Sequence, residues 1–229
     1  MSRLLERGLE MFEDVDSYTF TLTRQERVGG DLLDPQVMNV KLRHSPFSVY
    51  MKWIAGDKGR QVIYVEGLND GKLLVQPGGI KGRLTGTLSL AIDDSLVMAE
   101  CRHPINQCGL RKMAEKLLHH QREDLAANLA RCECEMYDDQ VVNERPCFLF
   151  IATYKSPEVS PVYRKVLLYI DKELSLPIAL RNYTWATESD VENLDEMTLV
   201  EAYTFTDIAL NETLVAEDFD KANSKYRMR

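Results

Sequence analysis

Residues 18–23 read Tyr18-Thr19-Phe20-Thr21-Leu22-Thr23, with a large apolar side chain at every second position. Since successive side chains of a strand point to opposite faces, this alternation predicts a β-strand with one apolar face. Similar short segments recur along the chain, separated by turn signals such as Asn69-Asp70-Gly71. The pattern predicts about ten strands in all. The further predicted strands span residues 37–44, 47–54, 61–66, 72–76, 129–137, 147–154, 163–171, 178–186 and 198–207.

Two longer segments carry apolar residues at helical spacing instead. Residues 2–16 form one, and residues 105–126 form the one long internal helix, with Leu110, Met113 and Leu117 along its stripe. Shorter helices are predicted at residues 93–100 and 217–226. Strands and helices do not alternate, which argues against doubly wound and TIM-barrel folds. The sequence therefore predicts an α+β, mainly antiparallel protein in which strands 17–86 and 128–208 flank a helical insert at 93–126.

Size and charge narrow the class of protein. The chain has 229 residues and a formal net charge of −8. A chain of this length commonly folds as one domain, so residues 1–229, ending in a tail at 209–229, are expected to form a single domain. This net negative charge would repel the phosphate backbone and so argues against a nucleic-acid partner. No apolar run approaches the roughly 20 residues of a membrane helix, and residues 1–16 are too charged for a signal peptide.

Five cysteines leave at least one thiol without a disulfide partner. The pair Cys132 and Cys134 lacks the second pair that a zinc site needs, and we predict no metal site and no cofactor. One interpretation is that most of these thiols are buried and act as small hydrophobes. Another is a disulfide between Cys134 and Cys147 across a hairpin, which would suit an oxidising compartment.

The strands near residues 147–152 and 166–170 are apolar on both faces. Such strands need cover on both sides, and one side could face a cavity that holds an apolar ligand. Aromatic and methionine side chains suit a flexible acyl tail. The alternative is that the same residues fill an ordinary core. The predicted cavity residues are Phe20, Leu22, Val49, Met51, Trp53, Phe148, Phe150 and Leu168.

Polar candidates are few. Arg102 and His103 could serve as an anion-holding residue and a general base, but no G-x-S-x-G motif supplies a nucleophile. The alternative is a connector in which Pro104 starts the helix. Arg164 interrupts an apolar strand and could lie at a cavity mouth near a lipid head group, or on a solvated strand end. Asp138 and Asp139 are interpreted as turn or cap residues.

Several landmarks resemble a bacterial family of unknown function, domain of unknown function 1571. They are Pro46-Phe47-Ser48-Val49-Tyr50-Met51-Lys52-Trp53, Val65-Glu66-Gly67-Leu68-Asn69-Asp70-Gly71, Arg102-His103-Pro104-Ile105, Val162-Tyr163-Arg164-Lys165 and Tyr203-Thr204-Phe205-Thr206-Asp207-Ile208. That family is similar in pattern to the periplasmic lipoprotein carriers of the LolA and LolB type, in strand order, in the central helix and in the closing Thr206-Asp207-Ile208 element with Asn211.

This resemblance implies a half-open curved sheet or incomplete barrel, closed by the N-terminal helix and the long internal helix over an apolar cavity. It implies non-enzymatic binding or carrying of a lipid or lipoprotein acyl chain in a periplasmic or secreted location, with an envelope protein as a possible partner. Two alternatives remain: a protein-interaction domain with a filled core and, more weakly, a hydrolase that uses His103. Fold likeness alone does not fix function.

Overall fold

A computed structural model describes residues 1–126, 132–187, 192–226 and 228 of the protein. Among these residues it contains twelve strands. They are β1 (Ser17–Val28), β2 (Asp31–Leu32), β3 (Gln36–Arg43), β4 (Ser48–Ala55), β5 (Gln61–Val65), β6 (Leu73–Gln76), β7 (Leu88–Leu90), β8 (Cys132–Val142), β9 (Arg145–Tyr154), β10 (Lys165–Asp171), β11 (Pro177–Tyr183) and β12 (Leu199–Leu210).

The strand order is β7-β6-β5-β4-β3-β1-β12-β11-β10-β9-β8, and β2 pairs with β1 outside this path. Each pair of known register is antiparallel, and the path begins and ends on different strands, so the sheet is not closed. The α-helices are α1 (Ser2–Met11), α2 (Gly79–Thr85), α3 (Ser95–Met98), α4 (Leu110–Ala126) and α5 (Leu194–Met197). The predicted α+β class with an open antiparallel sheet is therefore confirmed.

The chain forms two compact units. The first, called the helix unit, comprises Met1–Glu13, Gln25–Arg27 and Leu110–Thr204. The second, called the tail unit, comprises Asp14–Arg24, Val28–Gly109 and Phe205–Arg229. The expectation of one domain over residues 1–229 stays a prediction.

In the helix unit, α1 packs on α4. Ser2 Oγ donates a hydrogen bond to Gln121 Oε1 at 2.8 Å, and Arg122 pairs with Glu6 at 3.0 Å. Gly8 brings α1 against the backbone of Ser175, where a β-carbon would lie 2.4 Å from the carbonyl oxygen. A residue without a side chain is what allows this close approach.

In the tail unit, a segment near the C-terminus packs against the sheet. Residues 216–226, called the C-terminal segment, lie over β4 and β5. Phe219 and Tyr226 of this segment join a buried cluster with Tyr50, Ile63 and Val65. Gln61 Nε2 donates to the carbonyl of Tyr226 at 2.6 Å, which fixes the end of the segment to β5.

Several predicted boundaries are wrong for identifiable reasons. Helix α1 ends at Met11, not residue 16, because Glu13, Asp14 and Asp16 would oppose the dipole at a helix C-terminus. Helix α4 begins at Leu110, not residue 105, because Gly109 has φ of +108°. Residues 105–107 form a 3₁₀ turn instead.

Three other differences concern strands and the chain end. Strand β11 ends at Tyr183, short of the predicted residue 186, just after a register shift. In place of a helix over 217–226, Ala216–Phe219 form a 3₁₀ turn. Part of the predicted strand 129–137 lies outside the described residues, and β8 runs on to Val142.

Strand β8 continues through Asp138 and Asp139 because a bulge absorbs them. The pairing with β9 shifts register between Tyr137 and Gln140. One extra residue in a bulge bends a strand without ending it. The interpretation of these aspartates as turn or cap residues is therefore wrong.

The interpretation in which Cys134 and Cys147 form a disulfide is contradicted by the strand register. In the β8–β9 register, Cys134 lies opposite Ala152 and Cys147 lies opposite Gln140. All five cysteines are reduced, and Cys147 is fully buried. Cross-strand disulfides need β-carbons about 4 Å apart, which residues this far apart in the register cannot provide.

Candidate functional site

Five of the eight predicted cavity residues lie in the tail unit and share one face of its sheet. Phe20 lies opposite Val40, which in turn lies opposite Met51. Residues directly opposite in an antiparallel pair project to the same face. The same register places Leu22, Val49 and Trp53 on that face.

Residues of the tail unit pack on this face, and its side chains are buried. The exposed fractions of the five side chains are between 0% and 8%. Phe205 of β12 packs against Phe20 with ring centroids 5.1 Å apart. Gly109 passes so close to Tyr18 and Leu42 that a β-carbon would lie 2.6 Å from each. The five side chains are therefore buried, and their assignment to a ligand cavity stays a prediction.

A polar rim surrounds Trp53 at one end of the face. The indole Nε1 donates to Gln36 Oε1 at 3.0 Å, and the guanidinium groups of Arg24 and Arg60 lie 5.9 Å and 5.5 Å from the indole ring. Arg60 also pairs with Glu100, and this hydrogen bond lowers the pKa of the Glu100 carboxyl. Each guanidinium group lies close to the indole ring, and this cation–π arrangement stabilises both groups.

The other three predicted cavity residues lie in the helix unit. Phe150 of β9 lies opposite Leu168 of β10, and Phe148 lies opposite Ile170 on the same face. Leu168 is buried, whereas Phe148 and Phe150 are half-buried. On the other side, Phe150 lies opposite Met136 of β8, whose side chain is 58% exposed. This part of the predicted face is incompletely covered.

The polar candidates fall at different places. Arg102 and His103 are half-buried in the tail unit, between α3 and the 3₁₀ turn at residues 105–107. Arg164 lies in the helix unit just before β10 and pairs with Asp195, which also accepts a hydrogen bond from Lys165 at 2.7 Å. Burial alone would raise the pKa of Asp195, but the hydrogen bonds from Lys165 and Arg164 outweigh it and lower that pKa.

A buried polar cluster in the helix unit was missed by the sequence analysis. The hydroxyl of Tyr203 lies 3.2 Å from Glu201 Oε2 and also contacts Glu26 Oε1. Glu201 Oε1 accepts from Asn182 at 2.6 Å and from Tyr163 at 2.8 Å. Burial, followed by the charges of Glu201 and Glu26, raises the pKa of Tyr203 far above its ordinary value, so its hydroxyl stays protonated.

The sequence did hold a signal for this cluster. Glu26 continues the alternation of Phe20 and Leu22 along β1, and Glu201 precedes Tyr203 and Phe205 in the alternation of β12. A carboxylate at an apolar position of a strand indicates a buried hydrogen-bonded group.

No group of three or more His, Cys, Asp or Glu among the described residues could hold a metal ion. In the same part of the chain, no helix is both long and apolar enough to cross a membrane.

Solved structures share this fold at low identity. MucB is similar with a TM-score of 0.51 and 13% identity, over 96% of this chain and 62% of MucB. The matched chain in the complex of MucA and MucB from Pseudomonas aeruginosa gives a TM-score of 0.50 and 15% identity. The match covers 96% of this chain and 60% of the matched chain. The chain thus spans about three fifths of the length of the MucB chains it matches.

A domain of a putative outer membrane lipoprotein-sorting protein from Vibrio parahaemolyticus is similar with a TM-score of 0.40 and 11% identity, over 96% of each chain. No curated protein matches the chain. A family model described as protein of unknown function (DUF1571) matches residues 15–228. That match covers nearly the whole chain, which therefore belongs to the DUF1571 family.

Proposed function

We propose that this protein binds the acyl tail of a lipid or lipoprotein in the bacterial cell envelope and catalyses no reaction. The observation that carries the proposal is the incomplete cover of β9. On one face of this strand Phe148, Phe150, Ala152 and Tyr154 are all half-buried, whereas Cys147 and Leu149 on the opposite face are buried. The face with the two phenylalanine rings therefore retains apolar surface for a ligand.

The acyl tail of the ligand would lie along the face of the helix unit that carries Phe148, Phe150 and Leu168. On this face Leu168 is buried, the rings of Phe148 and Phe150 are half-buried, and Met136 lies at the exposed margin. Lys172 holds its ammonium group 4.8 Å from the ring of Phe148 and offers a cation to an anionic head group. Each buried methylene contributes about 0.8 kcal/mol, so a long tail binds without a polar anchor.

The five predicted residues of the tail unit have another role in this proposal. In this proposal the buried side chains of Phe20, Leu22, Val49, Met51 and Trp53 stabilise the sheet. They would meet a ligand only after the covering residues move. The likeness to MucB supports the fold, and the resemblance to the LolA and LolB carriers supports the class of ligand.

The test compares two neighbouring residues on opposite faces of β9. Phe150→Glu should weaken binding of a fluorescent fatty acid about 10- to 100-fold, because it removes a ring contact and adds a charge. Ile151→Glu is the matched control and should bind nearly as well as the wild-type protein. Circular dichroism confirms that both variants fold. Equal binding by the wild-type protein and a folded Phe150→Glu variant would contradict the proposed site.

Native mass spectrometry of the purified protein, followed by organic extraction, identifies a ligand carried from the cell. A bound lipid at one per chain supports the proposal. Protein that carries no lipid and also binds no added fatty acid or phospholipid would overturn it.

A second candidate function, binding of a protein partner, is favoured by β8. Among the described residues this strand ends the path of the sheet, and Met136, Tyr137 and Val141 are exposed along it. An unpaired edge is a template for another strand. Glu133 and Glu135 would attract a basic segment, and the complex of MucB with MucA shows a protein partner on a related fold.

Fluorescence anisotropy with an extended lysine-rich peptide tests this candidate. Binding that weakens with salt and is lost in a Glu133→Lys, Glu135→Lys variant would support it. Absence of binding at low salt would count against it.

A further inference from the structure

Three sulfur-bearing side chains line one face of β8. Cys132, Cys134 and Met136 occupy alternate positions, and the β9 residues opposite them are Tyr154, Ala152 and Phe150. Side chains two residues apart in a strand project to the same face. The strand therefore presents two thiols and a thioether side by side.

The two thiols are already close together. Their Sγ atoms are 3.6 Å apart. Cys134 is exposed, Cys132 is half-buried, and the side chain of Met136 is 58% exposed. An ion in solution can reach this face directly, and both thiols could contact it without a change in the backbone.

The remaining cysteines differ from this pair. Cys101 and Cys147 are buried. Burial raises the pKa of the Cys147 thiol to about 11 and that of the Cys108 thiol to about 12. A metal ligand must be the thiolate, so these thiols are poor donors at neutral pH.

The kind of donor selects the kind of ion. Zinc prefers four ligands from cysteine, histidine or carboxylate, and calcium and magnesium prefer oxygen. Two thiolates and a thioether form a soft donor set, which is the preference of Cu(I). Few donors also suit this ion, which needs no complete tetrahedral shell of protein ligands.

We propose that Cys132, Cys134 and Met136 form a binding site for one soft monovalent metal ion of the Cu(I) class. Each of the two thiols loses its proton on binding, so one ion and two thiols give a bis-thiolate complex and release two protons. The thioether of Met136 adds a neutral third donor. Met136 also borders the proposed acyl-binding face, but the metal site is defined by its sulfur atoms and does not require that an acyl chain binds there.

The test is an anaerobic titration of the full-length, reduced protein with Cu(I) against a colorimetric Cu(I) chelator. We expect one ion per chain to be retained in competition with the chelator. Cys132→Ser and Cys134→Ser should each lower the affinity about 100-fold or more, since they remove a direct ligand. Met136→Leu should lower it less, about tenfold.

Two matched controls separate the site from general effects. Met197→Leu replaces another exposed methionine, and Cys101→Ala removes a buried thiol. Both should bind Cu(I) as the wild-type protein does. Retention of the ion by a folded Cys132→Ser, Cys134→Ser double variant would overturn the proposal, and so would one ion shared between two chains.

Discussion

The ring of Tyr226 stacks on the ring of Tyr50, with centroids 3.9 Å apart and planes inclined by 11°. The Tyr226 hydroxyl donates to the carbonyl of Asp218 at 2.8 Å and accepts from Lys41 Nζ at 3.1 Å. The stack and the hydrogen bond from Lys41 attach the C-terminal segment to β4 and β3. Stacked aromatic pairs stabilise beyond the area that they bury.

Loss of the Tyr226 ring should destabilise the protein strongly. Tyr226→Ala removes a large buried side chain and should lower the free energy of unfolding by about 3 kcal/mol, measured by urea denaturation. Tyr226→Phe keeps the stack and loses only the hydroxyl, so it should cost about 1 kcal/mol. Equal losses in the two variants would show that the ring stack contributes nothing.

Acid should release the ion pair between Lys41 and Asp218, whose Nζ and Oδ1 are 2.6 Å apart. Burial alone would raise the pKa of Asp218, but hydrogen bonds from Lys41 and the Val215 backbone outweigh it, so that pKa lies below the ordinary 3.8. Because the folded-state pKa is lowered, the stabilisation is complete well above pH 3.8 and is lost as pH falls through the folded value.

The variant Asp218→Asn checks this pH dependence. At pH 7 it should be less stable than the wild-type protein by about 1 kcal/mol. The difference should shrink as the pH falls below 3.8. Chemical denaturation across this pH range measures it, and a difference that does not change with pH would contradict the assignment to the ion pair.

Removal of the Tyr203 hydroxyl should destabilise the protein, because two buried carboxyl groups lose a hydrogen-bond donor. Tyr203→Phe deletes the group that joins Glu26 to Glu201 and should lower the free energy of unfolding by about 2 kcal/mol. Tyr163→Phe is the matched control, because Asn182 also donates to the oxygen of Glu201 that Tyr163 contacts. The control should lose about 1 kcal/mol. A larger loss in the control would refute this ranking.

An alanine at position 8 should destabilise α1 despite its higher helix propensity. The new β-carbon would lie 2.4 Å from the Ser175 carbonyl oxygen and 2.8 Å from a methyl carbon of Leu176. We expect a net loss of about 2 kcal/mol, since overpacking outweighs the gain of roughly 1 kcal/mol from propensity. Glu10→Ala, at an exposed position of the same helix, is the control and should change thermal stability little. A Gly8→Ala variant that is more stable than the wild-type protein would disprove the close contact.

Local pattern was sufficient for much of the sheet. The alternation of Phe20 and Leu22 predicted their shared face, and so did that of Val49, Met51 and Trp53, because side-chain period and strand geometry are linked directly. The left-handed turn at Asn69 and Asp70 follows from the same kind of local chemistry.

The rest depends on contacts between distant segments. Asp138 and Asp139 suggested a turn, yet pairing with β9 keeps them in a strand, and the turn lies at Asn143 and Glu144, both with positive φ. Trp185 continues the alternation of β11, but its indole donates to the carbonyl of Ser160 outside the sheet. Tertiary pairing overrode local preference at each place.

The same limit applies to the candidate site. The eight predicted cavity residues share an apolar character, but only the rings of Phe148 and Phe150 are half-buried and the other six side chains are buried. The burial of a side chain depends on which segments cover its strand. The alternation of apolar residues along the strand does not show which segments those are. The packing of Tyr226 on Tyr50 likewise leaves no signal in either segment.

The C-terminal segment also affects the order of events during synthesis. Tyr226 follows Gln61, its hydrogen-bond partner on β5, by 165 positions. A ribosome therefore releases β4 and β5 long before the residues that cover them exist. Until then Tyr50, Ile63 and Val65 are exposed apolar residues of the nascent chain. Holdase chaperones protect surfaces of this kind in a growing chain.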